Sequence, residues 1–292
     1  MKTVLITGTN RGIGRETAFA FARRGYIVFA TMRNPENAAD FKQQMEEESL
    51  PIHIYQMDVN SDDSVKQCID KINQEHGNID VLVNNAGIER HGSVEELPMA
   101  DFKAVMETNY FGAVRCIKAV LTKMRQKKYG SIINISSISG KIACPPLGAY
   151  SASKFALEAL TESLAQELKP FNIRVSLVEP GIIATEMSHA IAEKIDSLYP
   201  QVRRFASFFA ETLKTPTPAA LVAEKILEIV ENGTWQLRHT AGPDAGPFLG
   251  WRASLTDEEW VDWNAQTDEA WYDAVESTFG MKCRPEKLEK EK

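Results

Sequence analysis

A chain of 292 residues, 43% hydrophobic and 25% charged, has the composition of an ordinary globular protein and enough length to bury a core. Its net charge of −7 argues against nucleic acid as a partner, and no run approaches the ~20 apolar residues of a membrane span. Cys68, Cys116, Cys144 and Cys283 are scattered without a C-x-x-C pair, which speaks against a metal centre or disulfide framework and for a reducing, cytoplasmic setting.

From the N-terminus, Thr3–Thr7 is apolar and β-branched, too short for the core of a signal peptide, and reads as a strand. A helical period over Ile13–Arg24 stops at Gly25, a residue suited to the position just past a helix end. Ile27–Thr31 then predicts a strand and Pro35–Glu48 a helix. The unit repeats with a strand over Ile52–Met57 and a helix over Ser61–His76, with Ser61 placed to cap it. Ile79–Val83 and Ser131–Ile135 are further strands, separated by a long helical stretch from Met99 to about Lys128. Tyr150–Leu168 predicts a helix and Arg174–Val178 a sixth strand. Short apolar strands that each feed a helix mean parallel β-α units, hence a doubly wound α/β sheet with ligands at the carboxyl ends of its strands.

The regularity breaks after Gly181. Met187–Leu213 predicts one or two aromatic-rich helices, Pro216–Glu231 another, and Thr256–Phe279 two short amphipathic ones. Trp235–Trp251 carries Gly and Pro and receives no element. The economical organisation is one domain over 1–232 with a helical lid at 186–215, an extension over 233–285 packed on it, and a disordered charged tail at 286–292. Trp251, Trp260, Trp263 and Trp271 read as core packing.

Thr7-Gly8-Thr9-Asn10-Arg11-Gly12-Ile13-Gly14 joins the first strand to the first helix. Gly8, Gly12 and Gly14 allow a tight turn and let the backbone approach a pyrophosphate on the helix N-terminus, with Asn10, Arg11 and Ile13 beside them. The second strand ends Ala30-Thr31-Met32-Arg33-Asn34, with no carboxylate to accept from a ribose 2′-hydroxyl. Arg33 and Arg11 could instead converge on a 2′-phosphate, which favours NADP(H). Asp58, followed by Val59, ends the third strand at the same crevice and could accept from an adenine amino group or serve as a helix cap. Asn84-Asn85-Ala86-Gly87 ends the fourth, where Ala86 and Gly87 admit the cofactor ribose while the Asn amides tie adjacent strands.

Tyr150-Ser151-Ala152-Ser153-Lys154 opens a helix, so Tyr150 and Lys154 share a face one turn apart. Reduction of a carbonyl leaves an oxygen that needs a proton, and a phenol can give one. The ordinary Tyr pKa is about 10, and a neighbouring ammonium together with an oxidised nicotinamide would lower it. Ser137, in Asn134-Ile135-Ser136-Ser137 at the end of the fifth strand, can donate to the same carbonyl oxygen.

Taken together, Thr7-Gly8…Gly12…Gly14, Asn84-Asn85-Ala86-Gly87, Asn109, Ser137, Tyr150…Lys154 and Pro180-Gly181…Thr185 resemble the short-chain dehydrogenase/reductase family from Lys2 to about Thr185. The resemblance implies a Rossmann-type fold and an oxidoreductase acting on a small-molecule carbonyl or alcohol. It makes Tyr150 the general acid/base, has Ser137 orient the substrate oxygen, and has Lys154 also hold the nicotinamide ribose. Asn109 would position a water in a proton relay to Lys154, or else kink its long helix as a structural amide. Pro180, Gly181 and Ile183 would place backbone groups on the carboxamide, with Thr185 near the cofactor. Ala30-Thr31-Met32-Arg33-Asn34 is similar to NADP(H)-using members such as carbonyl reductases and 17β-hydroxysteroid dehydrogenase-like enzymes. A homodimer or homotetramer is expected, although the extension beyond Ile229 departs from the family's usual ending and could cover its tetramer interface. The alternative is a catalytically silent dinucleotide-sensing regulator of the same fold. Phe205, Phe208, Phe209 and their neighbours point to a medium-sized, mostly apolar substrate, against which Arg203 and Arg204 could greet an acid.

Overall fold

Alternate side chains of Thr3–Thr7 (β1) point to opposite faces, and all are buried, so this strand must be covered on both sides. The computed structural model, which describes residues 2–193 and 196–285, supplies that cover. The strands are β1, Ile27–Met32 (β2), Ile52–Gln56 (β3), Val81–Asn84 (β4), Gly130–Ile135 (β5), Ile173–Pro180 (β6), Ile183–Ala184 (β7), Thr217–Pro218 (β8) and Arg238–Ala241 (β9). Seven form one parallel sheet in the order β3-β2-β1-β4-β5-β6-β9, and β7 pairs with β8 beside it. Strand order reverses between β1 and β4, which opens a crevice at their carboxyl ends.

The helices are Gly12–Arg23 (α1), Ala39–Glu47 (α2), Asp62–His76 (α3), Met99–Met106 (α4), Gly112–Lys127 (α5), Gly148–Leu168 (α6), Glu186–Ala192 (α7), Pro200–Thr212 (α8), Ala219–Asn232 (α9), Ala245–Ala253 (α10), Asp257–Ala265 (α11) and Asp268–Phe279 (α12). Val4 and Ile6 face one core with Phe19 and Phe21 of α1 and Ile226 of α9. Leu5 faces the other, with Ile69 and Ile72 of α3, Val120 of α5 and Leu164 of α6. A third cluster, with Phe208 and Phe209 of α8 and Trp271, Tyr272 and Val275 of α12, lies beyond the sheet. Among the described residues no helix is long and apolar enough to cross a membrane, and no group of three or more metal-ligating side chains converges.

Ser61 caps α3, its hydroxyl accepting from the Ser64 N–H at 3.2 Å. Three segments differ from the sequence expectation. Pro35–Glu48 is a 3₁₀ turn at Pro35–Asn37 followed by α2, because Ala38, buried in the first core, leaves helical geometry. The stretch from Met99 contains a π turn at Glu107–Phe111 before α5, with Gly112 pressed so close to Val59 that an added Cβ would lie 2.9 Å from its Cγ2. The seventh strand, β9, comes from within the segment read as an extension. Its Arg-His-Thr-Ala sequence has no apolar alternation because it is an edge strand, with Arg238 satisfied by carboxylates rather than by burial. The tail at 286–292 lies outside the described residues.

Candidate active site

At the carboxyl end of β1 the chain turns so tightly that two positions exclude any side chain. Gly8 has φ +71°, and a Cβ there would lie 2.9 Å from Ala86 Cα. A Cβ at Gly14 would lie 2.3 Å from Gly8 O and 2.4 Å from Asn85 Nδ2. The Asn85 amide donates to Thr7 O at 2.9 Å and Gly8 O at 3.0 Å, while Thr7 Oγ1 accepts from the Asn85 and Ala86 N–H groups. Asn84 Nδ2 donates to Asn134 Oδ1 at 2.8 Å, so these amides do tie neighbouring strands.

The N-terminus of α1 is built to receive an anion. Arg11 at the N-cap makes no side-chain capping bond and the first turn holds no acidic residue, so the leading N–H groups are left for a ligand. A pyrophosphate fits that donor set, and Gly8, Asn10, Gly12 and Ile13 line the cavity beside it. Arg11 itself pairs with Glu186 at the start of α7, and Gly12 lies against Thr185. Arg11 pairs there while still lining the same cavity as Arg33. At the end of β2 the cavity wall is Arg33, Asn34 and Asn37. Arg33 is exposed and makes no ion pair among the described residues. Asp58 and Val59 line the same wall; Asp58 Oδ1 closes a turn by accepting from Asn60 N at 3.0 Å, while capping of α3 falls to Ser61.

The chemistry-bearing side chains meet further along. Ser137 follows β5 and caps a short turn, its Oγ accepting from Ser139 N at 3.1 Å. Tyr150 and Lys154 share a face in the first turns of α6, and Lys154 Nζ lies 5.5 Å from the Tyr150 ring centre. Nζ donates to Ile135 O at 2.8 Å, which pins the lysine under the end of β5. Burial drives the Lys154 ammonium down to about 8, with Glu158 opposing. Burial also pushes the Tyr150 phenol up, a hydrogen bond with Ser137 pulls it back, and Glu89 pushes it further. Burial therefore dominates, and the opposing pull comes from Ser137 rather than from the expected ammonium of Lys154.

Asn109 is buried behind this wall. Its Nδ2 donates to Ile88 O at 2.9 Å and Ser153 Oγ at 3.0 Å, and its Oδ1 accepts from Ile88 N at 2.8 Å. An Asn amide has two donors and two lone pairs, so one lone pair is all that remains for a water. The side chain chiefly ties the π turn to α6 and to the loop after β4. Gly87 lies over it, since an added Cβ would meet Asn109 Oδ1 at 3.3 Å.

Pro180, Gly181 and Ile183 cross the cavity opposite, and Thr185 caps α7. Asp244, which the sequence reading missed, holds this crossing: its Oδ2 accepts from Ile182 N at 2.7 Å, and it packs directly on Gly181. Burial pushes its carboxyl up, and backbone N–H groups led by that of Ile182 oppose the rise. Its only sequence signal is the Gly-Pro-Asp turn.

The cavity, about 450 Å³, ends in an aromatic wall. Phe205, Phe208 and Phe209 of α8 face Phe248 and Trp251 of α10, Trp263 of α11, and Trp271 and Phe279 of α12. Trp251 packs edge-on to Trp263 at 4.8 Å and to Phe279 at 4.9 Å. Trp260 also lines the cavity, its indole donating to Ala143 O at 2.9 Å. Trp271 belongs to the third core cluster and Trp263 packs against it, as read from the sequence, and all four tryptophans also line the cavity. Arg203 and Arg204 do not face a ligand; both bind Asp268 at the start of α12 and so fasten α8 to the C-terminal helices.

Residues 2–196 match the family model for short chain dehydrogenases. The chain is 39% identical over 211 residues to a 3-ketodihydrosphingosine reductase of Bacteroides thetaiotaomicron, spanning 72% of this chain and 74% of that one. It is 42% identical over 200 residues to retinol dehydrogenase 8 of Bos taurus, spanning 67% and 64%. Among solved structures, a short-chain dehydrogenase from Streptomyces avermitilis superposes with a TM-score of 0.77 at 30% identity, over 90% of this chain and 95% of that one. A gluconate 5-dehydrogenase from Burkholderia cenocepacia, solved with NADP and tartrate, does so at 0.74 and 25% identity, over 84% and 95%. The chain belongs to the short-chain dehydrogenase family and is a hydride-transferring oxidoreductase that uses NAD(P)(H) on small-molecule substrates.

Proposed function

We propose that this enzyme interconverts a medium-sized, mostly apolar ketone or aldehyde and its alcohol, with NADP(H) as cofactor and Tyr150 as general acid/base. One observation carries the reading: a single cavity runs from the glycine loop past Ser137, Tyr150 and Lys154 to the aromatic wall. When bound, the nicotinamide supplies or accepts the hydride. The remaining work falls to side chains of the protein. Tyr150 holds the proton that the substrate oxygen gains on reduction, and a phenol kept protonated by burial suits that role. Ser137 donates to the same oxygen as negative charge develops there. Lys154 spends one donor on Ile135 O and keeps two for the ribose hydroxyls, while its charge favours the phenolate when the enzyme runs as a dehydrogenase.

The preference for a 2′-phosphate rests on the end of β2, where Arg33, Asn34 and Asn37 line the cavity and β2 presents no carboxylate. A phosphate needs such donors, whereas a ribose 2′-hydroxyl calls for an acceptor. The apolar substrate rests on the aromatic wall, with α7 and α8 acting as a lid over it. Two relatives are named for retinol and for 3-ketodihydrosphingosine, both largely hydrocarbon. A cytoplasmic homodimer or homotetramer belongs to the same reading, supported by four free thiols and the family's habit of assembly.

The test is NADPH and NADH oxidation against ring ketones, aryl and polyene aldehydes, long-chain ketones, quinones and sugars. Turnover should favour NADPH and the apolar substrates. Preference for a free sugar or a short hydroxy acid would overturn the substrate reading, and equal use of both cofactors the phosphate reading.

A further inference from the structure

The carboxylate of Asp244, at the start of α10, has no part in the chemistry above, yet two glycine turns are shaped around it. A Cβ at Gly181 would fall within the carboxylate itself, and one at Gly242, where φ is +103°, would lie 2.8 Å from Oδ1. Oδ2 accepts from Ile182 N at 2.7 Å. Oδ1 is buried against the two glycines without a hydrogen-bond partner. Gly181 N donates to Ala241 O at 2.9 Å, so the turn that delivers Asp244 is itself bound to the crossing after β6. A carboxylate oxygen left bare in this way is costly. Its retention implies that the other oxygen holds something the enzyme needs.

What it holds is the backbone over the reacting end of the cavity. Pro180, Gly181, Ile182 and Ile183 line that cavity together with Ser137 and Tyr150. Ser136 N donates to Val178 O at 2.8 Å, which fixes the end of β6 beside the end of β5. Arg33, at the end of β2, stands four strand spacings away, about 19 Å at about 4.8 Å each. A dinucleotide spanning the cavity would therefore meet this crossing with its nicotinamide ring and leave its adenosine phosphate to β2. Asp244 also reaches the substrate end. Its own carbonyl accepts from Phe248 N at 3.0 Å in the first turn of α10, and Phe248 and Trp251 of that helix stand in the aromatic wall.

We propose that Asp244 is a positioning residue whose carboxylate fixes the Gly181–Ile182 backbone as the seat of the nicotinamide ring and locks that seat to the α10 wall. The proposal rests on the cofactor reading above, yet it can be tested by binding alone. Calorimetric titration of the full-length enzyme would compare NADPH with 2′-phospho-ADP-ribose, which lacks only the nicotinamide. Asp244→Ala leaves the Ile182 N–H without its acceptor, so NADPH affinity should fall about tenfold. Affinity for 2′-phospho-ADP-ribose, which never touches the crossing, should stay within about twofold. Asp244→Asn keeps an oxygen for Ile182 N and should retain most of the NADPH affinity. If Asp244→Ala fails to fold, Asp244→Ser, one atom too short to hold both turns, takes its place. A folded variant that binds NADPH like the parent, or that loses both ligands equally, overturns the proposal. Failure of the cofactor reading would show separately, in the parent, as equal affinity for NADPH and NADH, and the same comparison would then be made with NADH and ADP-ribose.

Discussion

Asp268→Asn isolates the contact that fastens α8, part of the proposed lid, to the C-terminal helices. Asp268 binds Arg203 and Arg204 at 2.5 Å each, and Arg204 is 2% exposed. Asparagine keeps the shape of the side chain and removes its charge, leaving one buried guanidinium without a counter-ion. Breaking a buried pair by removing one partner costs about 3–5 kcal/mol. Arg204 still donates to Gln266 O at 2.8 Å, which places the expected loss near the lower end, about 3 kcal/mol. For a domain of this size that corresponds to a fall of roughly 6–12 °C in Tm. Burial would raise the Asp268 carboxyl, but the hydrogen bonds from the two arginines outweigh it and hold the group below its ordinary range. A depressed folded-state pKa gives stability that is present above the unfolded value, about 3.9, and is lost as pH falls through the folded one. The gap between parent and variant should therefore be full at neutral pH and shrink below about pH 4. Calorimetry at pH 7 and at pH 3 measures it, and KM for the apolar substrate, but not for NADPH, should rise about tenfold as the lid loosens. Equal melting at pH 7, or a gap unchanged at pH 3, would refute the reasoning.

Arg33→Asp should weaken NADPH about 10- to 150-fold, the worth of one charged hydrogen bond, and spare NADH; fluorescence titration of both cofactors checks this. Gly14→Ala places a methyl 2.3 Å from Gly8 O, where neither backbone can yield, so NADPH binding should be lost and thermal stability reduced. Phe208→Ala together with Phe209→Ala should raise KM for the apolar substrate more than it lowers kcat, which steady-state kinetics separates. Because burial brings Lys154 down to about 8, its charge is lost as pH rises through that value. The pH profile of kcat/KM, which reports the free enzyme, should fall above about pH 8.

The sheet was legible because its strands are buried on both faces, which leaves runs such as Val4-Leu5-Ile6 and Ile132-Ile133 that resemble little else. The Tyr150/Lys154 pair was legible because one helical turn fixes which residues share a face. Arg238 gave no such signal. Its strand is recognisable only through Glu158 and Glu162, which are distant in sequence and meet it in space. Asp244 was hidden for the same reason, since its partner Ile182 lies 62 positions earlier. Aromatic periodicity placed Phe208 and Phe209 on an apolar helix face without showing that α10–α12 would fold back and leave a cavity between. Arg203 and Arg204 read as able to greet an acid, and nothing in the sequence signalled the anchor they form with Asp268, 65 and 64 positions on.

The central claim, that Tyr150 carries the proton, is tested most directly by Tyr150→Phe. Turnover with saturating NADPH and the best carbonyl substrate from the screen would be measured beside NADPH affinity by fluorescence titration. Loss of the phenol removes the acid and little else, so turnover should fall by about 10²–10⁴, with NADPH binding unchanged. Turnover retained within about twofold by a folded variant that binds NADPH would contradict the account.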